Sequence, residues 1–145
     1  GINSRLDEVH ATILNIKLKD VKKNIKKRQN LAKIYENELK NTSLKLPSVK
    51  KNCAHVFHLY SIYHSKRDFI IKKLKEKNIE IKIYYPVPIH QMKAYKYFKK
   101  KNLNLKITEK ISKGIFSLPL YPNLEYKQAH KIAEVLKKIL KKFYL

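Results

Sequence analysis

From Leu6 to Leu39 the apolar residues recur at the spacing of a single long helix, and this stripe limits what the chain can fold into. Leu6, Val9, Ile13, Ile16, Val21, Ile25, Leu31, Tyr35 and Leu39 follow a helical period. A helix over Arg5–Lys40 would be ~54 Å long at ~1.5 Å per residue, longer than a small domain needs for packing. Ser4 followed by Asp7 fits a capping box, and Asp7 and Glu8 place negative charge at the positive end of the helix dipole. The first half adds Ile2, Ala11, Leu14 and Leu18, so it is expected to pack on two sides. The second half has one stripe and a lysine-covered back. Such a helix is a strut between two bodies, one of them expected to lie outside these residues. Met92 is the only methionine and none stands at the start, which adds to the expectation of a fragment.

At 145 residues, 43% of them hydrophobic, the chain has enough apolar matter for one domain core. Cys53 is the only cysteine, so no disulfide framework or cysteine metal cluster is available and a reducing, cytoplasmic location is expected. No apolar run is long enough to span a bilayer, and no signal peptide opens the chain. The net charge of +23 suggests a polyanion. Yet Arg5, Arg28 and Arg67 are the only arginines, and the lysines are scattered over the solvent sides of helices rather than gathered in one block. Arginine is the usual reader of guanine edges and the better fork for phosphate. A solvated lysine surface with no specific nucleic-acid partner is the favoured reading, with a basic nucleic-acid-binding module as the alternative.

After a break over residues 41–52, His55–Tyr63 is apolar on both sides and reads as a central strand. Ser65 and Asp68 suggest a second capping box, Ile70, Ile71 and Leu74 a short buried helix, and Asn78 its left-handed end. Ile79–Tyr85 alternates as a strand with one buried side, until Pro86 and Pro88 forbid further pairing. A helix over Gln91–Lys99 with Ala94, Tyr95 and Phe98 inward, a polar loop over Lys99–Asn104, and a helix over Thr108–Lys113 closed by Gly114 follow. Ile115–Leu120 reads as an edge strand because Pro119 lacks a donor, and Tyr121–Asn123 as a turn with Asn123 able to cap. Ala129, Ile132, Ala133, Leu136, Ile139 and Phe143 line a last helix. The expected class is α+β, a small antiparallel or mixed sheet with helices on one side, over 41–145, preceded by the connecting helix over 1–40.

Generic site searches return little. With only Gly1 and Gly114, no glycine-rich phosphate loop can form. His55 and His58, three apart on the expected strand, would face opposite sides and make a poor metal pair. No nucleophile-elbow pattern supports a Ser/His/Asp triad.

Longer motifs are more specific. Gly1-Ile-Asn-Ser-Arg-Leu-Asp-Glu8, His55-Val-Phe-His-Leu-Tyr-Ser-Ile62 and Ile83-Tyr-Tyr-Pro-Val-Pro-Ile-His-Gln91 stand in order, joined by Ala94-Tyr95, Glu109-Lys-Ile-Ser112 and Phe116-Ser-Leu-Pro-Leu-Tyr-Pro122. Together they resemble the C-terminal part of the DegT/StrS-type sugar-nucleotide aminotransferases, enzymes dependent on pyridoxal phosphate (PLP), and the resemblance runs the whole length of the chain. It implies the small C-terminal domain of a fold-type I aminotransferase. The large domain, with the lysine that holds the cofactor and the acid that pairs with its ring nitrogen, would lie upstream, so this stretch is expected to be inactive alone. The intact enzyme would move an amino group from an amino acid, commonly glutamate, to a keto-sugar on a nucleoside diphosphate. It would act as a cytoplasmic homodimer with its active site at the subunit interface, in a role such as cell-surface polysaccharide synthesis. Dehydratases share the scaffold, and a dimerisation remnant without chemistry is a third class.

By the same resemblance Asn3 and Arg5 match residues that reach the cofactor phosphate of the neighbouring subunit, and a helix N-terminus with an arginine suits that anion. The stretch after the alternating strand lies near the sugar nucleotide in the family. Where the family often has His-Tyr-Pro, this chain has Tyr84-Tyr85-Pro86, and His90 matches the second histidine of the pattern. Tyr84 and His90 are therefore the candidate substrate residues. Asn78, Ile81 and Lys82 replace the family's usual small residues, and Glu125 stands where a threonine normally caps the last helix.

Overall fold

The computed structural model describes residues 5–98 and 104–143, without the side chains of 96–98. The structure is α+β, with five α-helices and a small antiparallel sheet among the described residues.

The long stripe forms two helices, α1 (Glu8–Leu18) and α2 (Val21–Leu39). At the junction Lys19 N and Asp20 N donate to the carbonyls three residues back, Ile16 and Lys17, before Asn24 N resumes four-residue bonding to Asp20 O. One tightened turn thus interrupts the expected rod, at an aspartate that belongs at a helix start rather than an interior. The N-cap of α1 is Asp7, whose carboxylate accepts from Val9 N at 2.7 Å, in place of the expected Ser4, which lies outside the described residues. No residue of α1 is buried within this chain: Leu6, Val9, Ile13, Leu14, Ile16 and Leu18 are all exposed. By contrast α2 buries Leu31, Ala32, Tyr35 and Leu39, one side of a helix over its last turns.

Strand β1 is only Tyr60–Tyr63, shorter than the expected His55–Tyr63. Phe57 sits at φ 49°, a left-handed conformation that ends any extended run. The Phe57 and His58 carbonyls, which a strand would offer to a neighbour, accept instead from Arg28 Nη1 at 3.3 and 3.0 Å. β1 pairs antiparallel with β2 (Ile115–Leu118), with Tyr60 opposite Leu118 and Ile62 opposite Phe116. These four face the core, while Ser61 and Ser117 on the other side share a hydroxyl hydrogen bond of 2.9 Å.

The expected strand over Ile79–Tyr85 is not formed. It is reduced to one bridge, Lys82 to Ser117, with Ser117 N donating to Lys82 O at 2.8 Å. The alternation survives as burial, since Ile79, Ile81 and Ile83 are half-buried against the core and Glu80 and Lys82 are exposed. Tyr85 leaves the pattern at 72% exposure. This bridge covers the outer side of β2, and a second, Lys45 to Tyr63, covers that of β1. Pro119 accordingly follows β2 without marking a bare edge.

α3 (Arg67–Lys75) buries Ile70 and Leu74 and ends, as its composition predicts, with Asn78 left-handed at φ 57°. Its start differs from the expected Ser65/Asp68 box. Lys66 N donates to His64 Nδ1 at 3.0 Å, and Asp68 pairs with Arg67 at 2.8 Å. The other ring nitrogen of His64 meets Ser43 Oγ at 3.1 Å, and burial, then the Lys66 charge, hold its pKa below the usual histidine value. The expected helix over Gln91–Lys99 is two 3₁₀ turns, Ile89–Gln91 and Lys93–Phe98, with Ala94 and Tyr95 exposed. The polar loop expected over Lys99–Asn104 lies mostly outside the described residues.

α4 (Lys106–Gly114) runs directly into β2. Gly114 permits this junction, because a Cβ there would stand 2.3 Å from the Tyr63 ring and 2.8 Å from the His64 carbonyl. α5 (Tyr126–Lys141) starts at Glu125 with a reciprocal capping box to Gln128, so Glu125 rather than Asn123 is the cap. It packs on α2 and α3 and buries Ala129, Ile132, Ala133, Leu136, Ile139 and Leu140.

Candidate functional site

Tyr84 and His90, the two expected substrate residues, line one groove of about 800 Å³. Its floor and walls are mostly apolar: Val87, Pro88, Ile89, Met92, Leu105 and Ile111 contribute. The segment that forms it leaves the Lys82 bridge, passes a cis Tyr84–Tyr85 peptide and two prolines, and enters the 3₁₀ turn at Ile89. The Tyr84 and Tyr85 rings meet edge to face at 5.7 Å. The opposite wall is α4, and Ser112 of that helix also lines the groove.

α4 is itself anchored. Arg67 Nη1 on α3 donates to Ser112 O at 2.6 Å, and Ser112 Oγ donates to Glu109 O at 2.9 Å. From this fixed helix Glu109 Oε1 meets His90 Nε2 at 3.0 Å. The His90 ring is 15% exposed and the Glu109 side chain 35%. The hydrogen bond from His90 holds the Glu109 carboxyl below its usual pKa, so it stays an acceptor at neutral pH. Motif inspection gave His90 a site role and quoted Glu109 only as part of the Glu109–Ser112 motif, without pairing the two. No local spacing could have found the pair, since the two stand 19 residues apart on different elements.

Arg5 is exposed ahead of α1, and none of the ion pairs among the described residues involves it. Asn3 lies outside the described residues. Arg5 is not part of the Tyr84/His90 groove. The Val9 amide at the start of α1 is already taken by the Asp7 carboxylate, and Glu8 adds a second negative charge there. An anion at this position would therefore rely on the guanidinium more than on the helix terminus. The other two arginines are structural: Arg28 clamps three carbonyls, those of Phe57, His58 and Leu120, and Arg67 clamps α4.

Among the described residues no group of three or more metal-ligating side chains converges, and His55 turns inward to its own loop, its Nδ1 accepting from Phe57 N at 2.8 Å. Every described lysine is exposed or half-buried, so none sits in an enclosed, desolvated place where its amine would be kept neutral and reactive.

Residues 1–137 match the DegT/DnrJ/EryC1/StrS aminotransferase family. The chain belongs to this family. It is 35% identical over 136 residues to dTDP-3-amino-3,6-dideoxy-α-D-galactopyranose transaminase of Aneurinibacillus thermoaerophilus, covering 94% of this chain and 37% of that protein. A crystal structure of a DegT/DnrJ/EryC1/StrS aminotransferase from Brucella abortus superposes with a TM-score of 0.89 at 31% identity, over 97% of this chain and 37% of that one. NtdA from Bacillus subtilis, solved with bound PMP, superposes with a TM-score of 0.83 at 32% identity, over 97% and 34% of the two chains. The chain thus spans little more than a third of the relatives it matches, corresponding to their C-terminal part. Aminotransferases of this family depend on PLP. None of the described helices is long and apolar enough to cross a membrane.

Proposed function

We propose that the protein is the C-terminal portion of a PLP-dependent aminotransferase that transfers an amino group from an amino acid, commonly glutamate, to a nucleotide-linked keto-sugar. The observation that carries this reading is the family match over residues 1–137, with the motif segment 83–91 forming the wall of a groove. Residues 1–40 connect to a large cofactor domain, and 41–145 form the small domain.

The described residues fit the cofactor only at its phosphate. Arg5 offers an exposed fork of the right charge, while no described lysine has the setting for covalent attachment. When bound, PLP supplies the electron sink for amino transfer. This chain's own part is to hold and enclose. Arg5 and Asn3 hold the phosphate of the neighbouring subunit's cofactor, and Tyr84 and His90 orient the nucleotide sugar. The apolar wall around Val87, Ile89 and Met92 keeps water from the reacting carbon. The exposed apolar sides of α1 pack on the large domain and on the second subunit of a cytoplasmic homodimer.

A chimera tests the reading: this chain replaces the matching C-terminal part of the A. thermoaerophilus transaminase, and amino transfer from glutamate to the relative's own dTDP keto-sugar is measured. Turnover is expected. A folded chimera that binds PLP and transfers nothing contradicts the proposal. Alone, the chain is inactive and holds no cofactor covalently, so borohydride reduction after mixing with PLP should label many surface lysines diffusely. Stoichiometric labelling of one lysine contradicts this.

A further inference from the structure

We infer that Glu109 is a positioning residue for His90, fixing its tautomer and tying the 84–91 segment to α4. The inference rests on the proposed function, since it gives His90 its role toward the nucleotide sugar. A carboxylate can only accept, so the 3.0 Å contact places the ring proton on Nε2. In the neutral ring that leaves Nδ1 as the acceptor nitrogen. His90 lines the groove, so in that tautomer Nδ1 is the ring nitrogen left to accept from a hydroxyl of the sugar. The depressed pKa of Glu109 keeps the arrangement acceptor-only at neutral pH. The chain of support is continuous from the core: Arg67 holds Ser112 O, α4 carries Glu109, and Glu109 holds His90. The segment itself has no strand pairing beyond Lys82, so this contact fixes its far end.

The test is made first on the chain itself. With ¹⁵N-histidine labelling, at a pH high enough to keep the ring neutral, His90 should appear as a single tautomer protonated at Nε2. Glu109→Ala should give an averaged mixture of tautomers, while Glu109→Gln, which retains an acceptor oxygen, should restore much of the wild-type signal. Glu109 is half-exposed on a helix where alanine is well tolerated, so the variants should fold. In the chimera, Glu109→Ala should raise KM for the nucleotide sugar about tenfold, as expected for one lost hydrogen bond, with kcat changed less. A proton on Nδ1 of the neutral wild-type ring, or ring signals unmoved by Glu109→Ala, overturns the inference. So does an active chimera whose KM is indifferent to the change. The ring signals do not depend on turnover, so a silent chimera would count against the proposed reaction and leave Glu109 judged by its own measurement.

Discussion

In a chain with 34 basic residues, the three arginines stand apart from the lysines by what their geometry does. Arg28 gathers three carbonyls from two separate loops, and Arg67 binds a carboxylate and a carbonyl at once. A lysine's single ammonium on a flexible stem would hold such arrangements poorly. Arg5 alone has no such duty among the described residues. The scarcity of arginine was visible in the sequence as a sign against base reading, but its positive meaning was not, because the carbonyls Arg28 clamps lie 29 to 92 residues away. Tyr60 is the converse case. It is 1% exposed, its hydroxyl has no partner among the described residues, and burial pushes its pKa up. An unmade buried hydrogen bond costs ~1–3 kcal/mol. Tyr60→Phe should therefore leave stability unchanged or raise it by up to about 1 kcal/mol in urea unfolding. A loss greater than ~1 kcal/mol would reveal a hidden partner for the hydroxyl.

At the scale of elements, the stripes of α2, α3 and α5 were legible, β1 and β2 were legible in place but not in length, and the break in the long helix was not. α2, α3 and α5 each bury one stripe whose spacing can be counted in the sequence. β1 and β2 are four residues each, and the neighbouring apolar runs lose their ladder bonds to Arg28 and to a left-handed Phe57. Alternation at 79–83 reports burial, which it gets right up to Tyr85, rather than pairing, which requires a neighbour. The motif residues of the groove could be read through resemblance, whereas Glu109 could be placed beside His90 only by the fold. The α2–α5 packing carries its own electrostatic clamp: Glu38 on α2 bonds Lys137 and, at 3.1 Å, His130 on α5. The bond from Lys137, then that from His130, lowers the Glu38 pKa below 4.5. A carboxyl depressed by folding contributes stability above its unfolded pKa and loses it as pH falls through the folded value. Glu38→Gln should thus cost a few tenths to about 1 kcal/mol at pH 7, as suits a partly exposed pair, and the gap should close below about pH 4. An undiminished gap at pH 3 would mean that the side chain acts by packing instead.

At the scale of the molecule, the protein is a formed core with unsatisfied margins. Leu6, Val9, Ile13, Ile16 and Leu18 are exposed along α1, and the groove beside His90 is apolar and open. The lysines cover the solvent sides of the remaining helices, consistent with a solvated surface. Taken with the family match over a third of its relatives' length, these margins support a part that completes a site rather than holding one. The claim is tested most directly by subunit mixing in the chimera. Alone, Arg5→Ala should weaken PLP binding by roughly ten- to a hundredfold, the loss of one or two charge-assisted hydrogen bonds, and Arg5→Lys should recover part. An Arg5→Ala subunit is then mixed with one whose cofactor lysine has been removed, at a PLP concentration too low to load the Arg5→Ala sites, so that neither is active by itself. If Arg5 serves the neighbouring subunit, heterodimers contain one sound site, pairing the intact lysine of the first with the intact Arg5 of the second, and activity returns. If heterodimers demonstrably form and no activity returns, Arg5 serves its own subunit or none, and the account of the chain as completing its neighbour's site is contradicted.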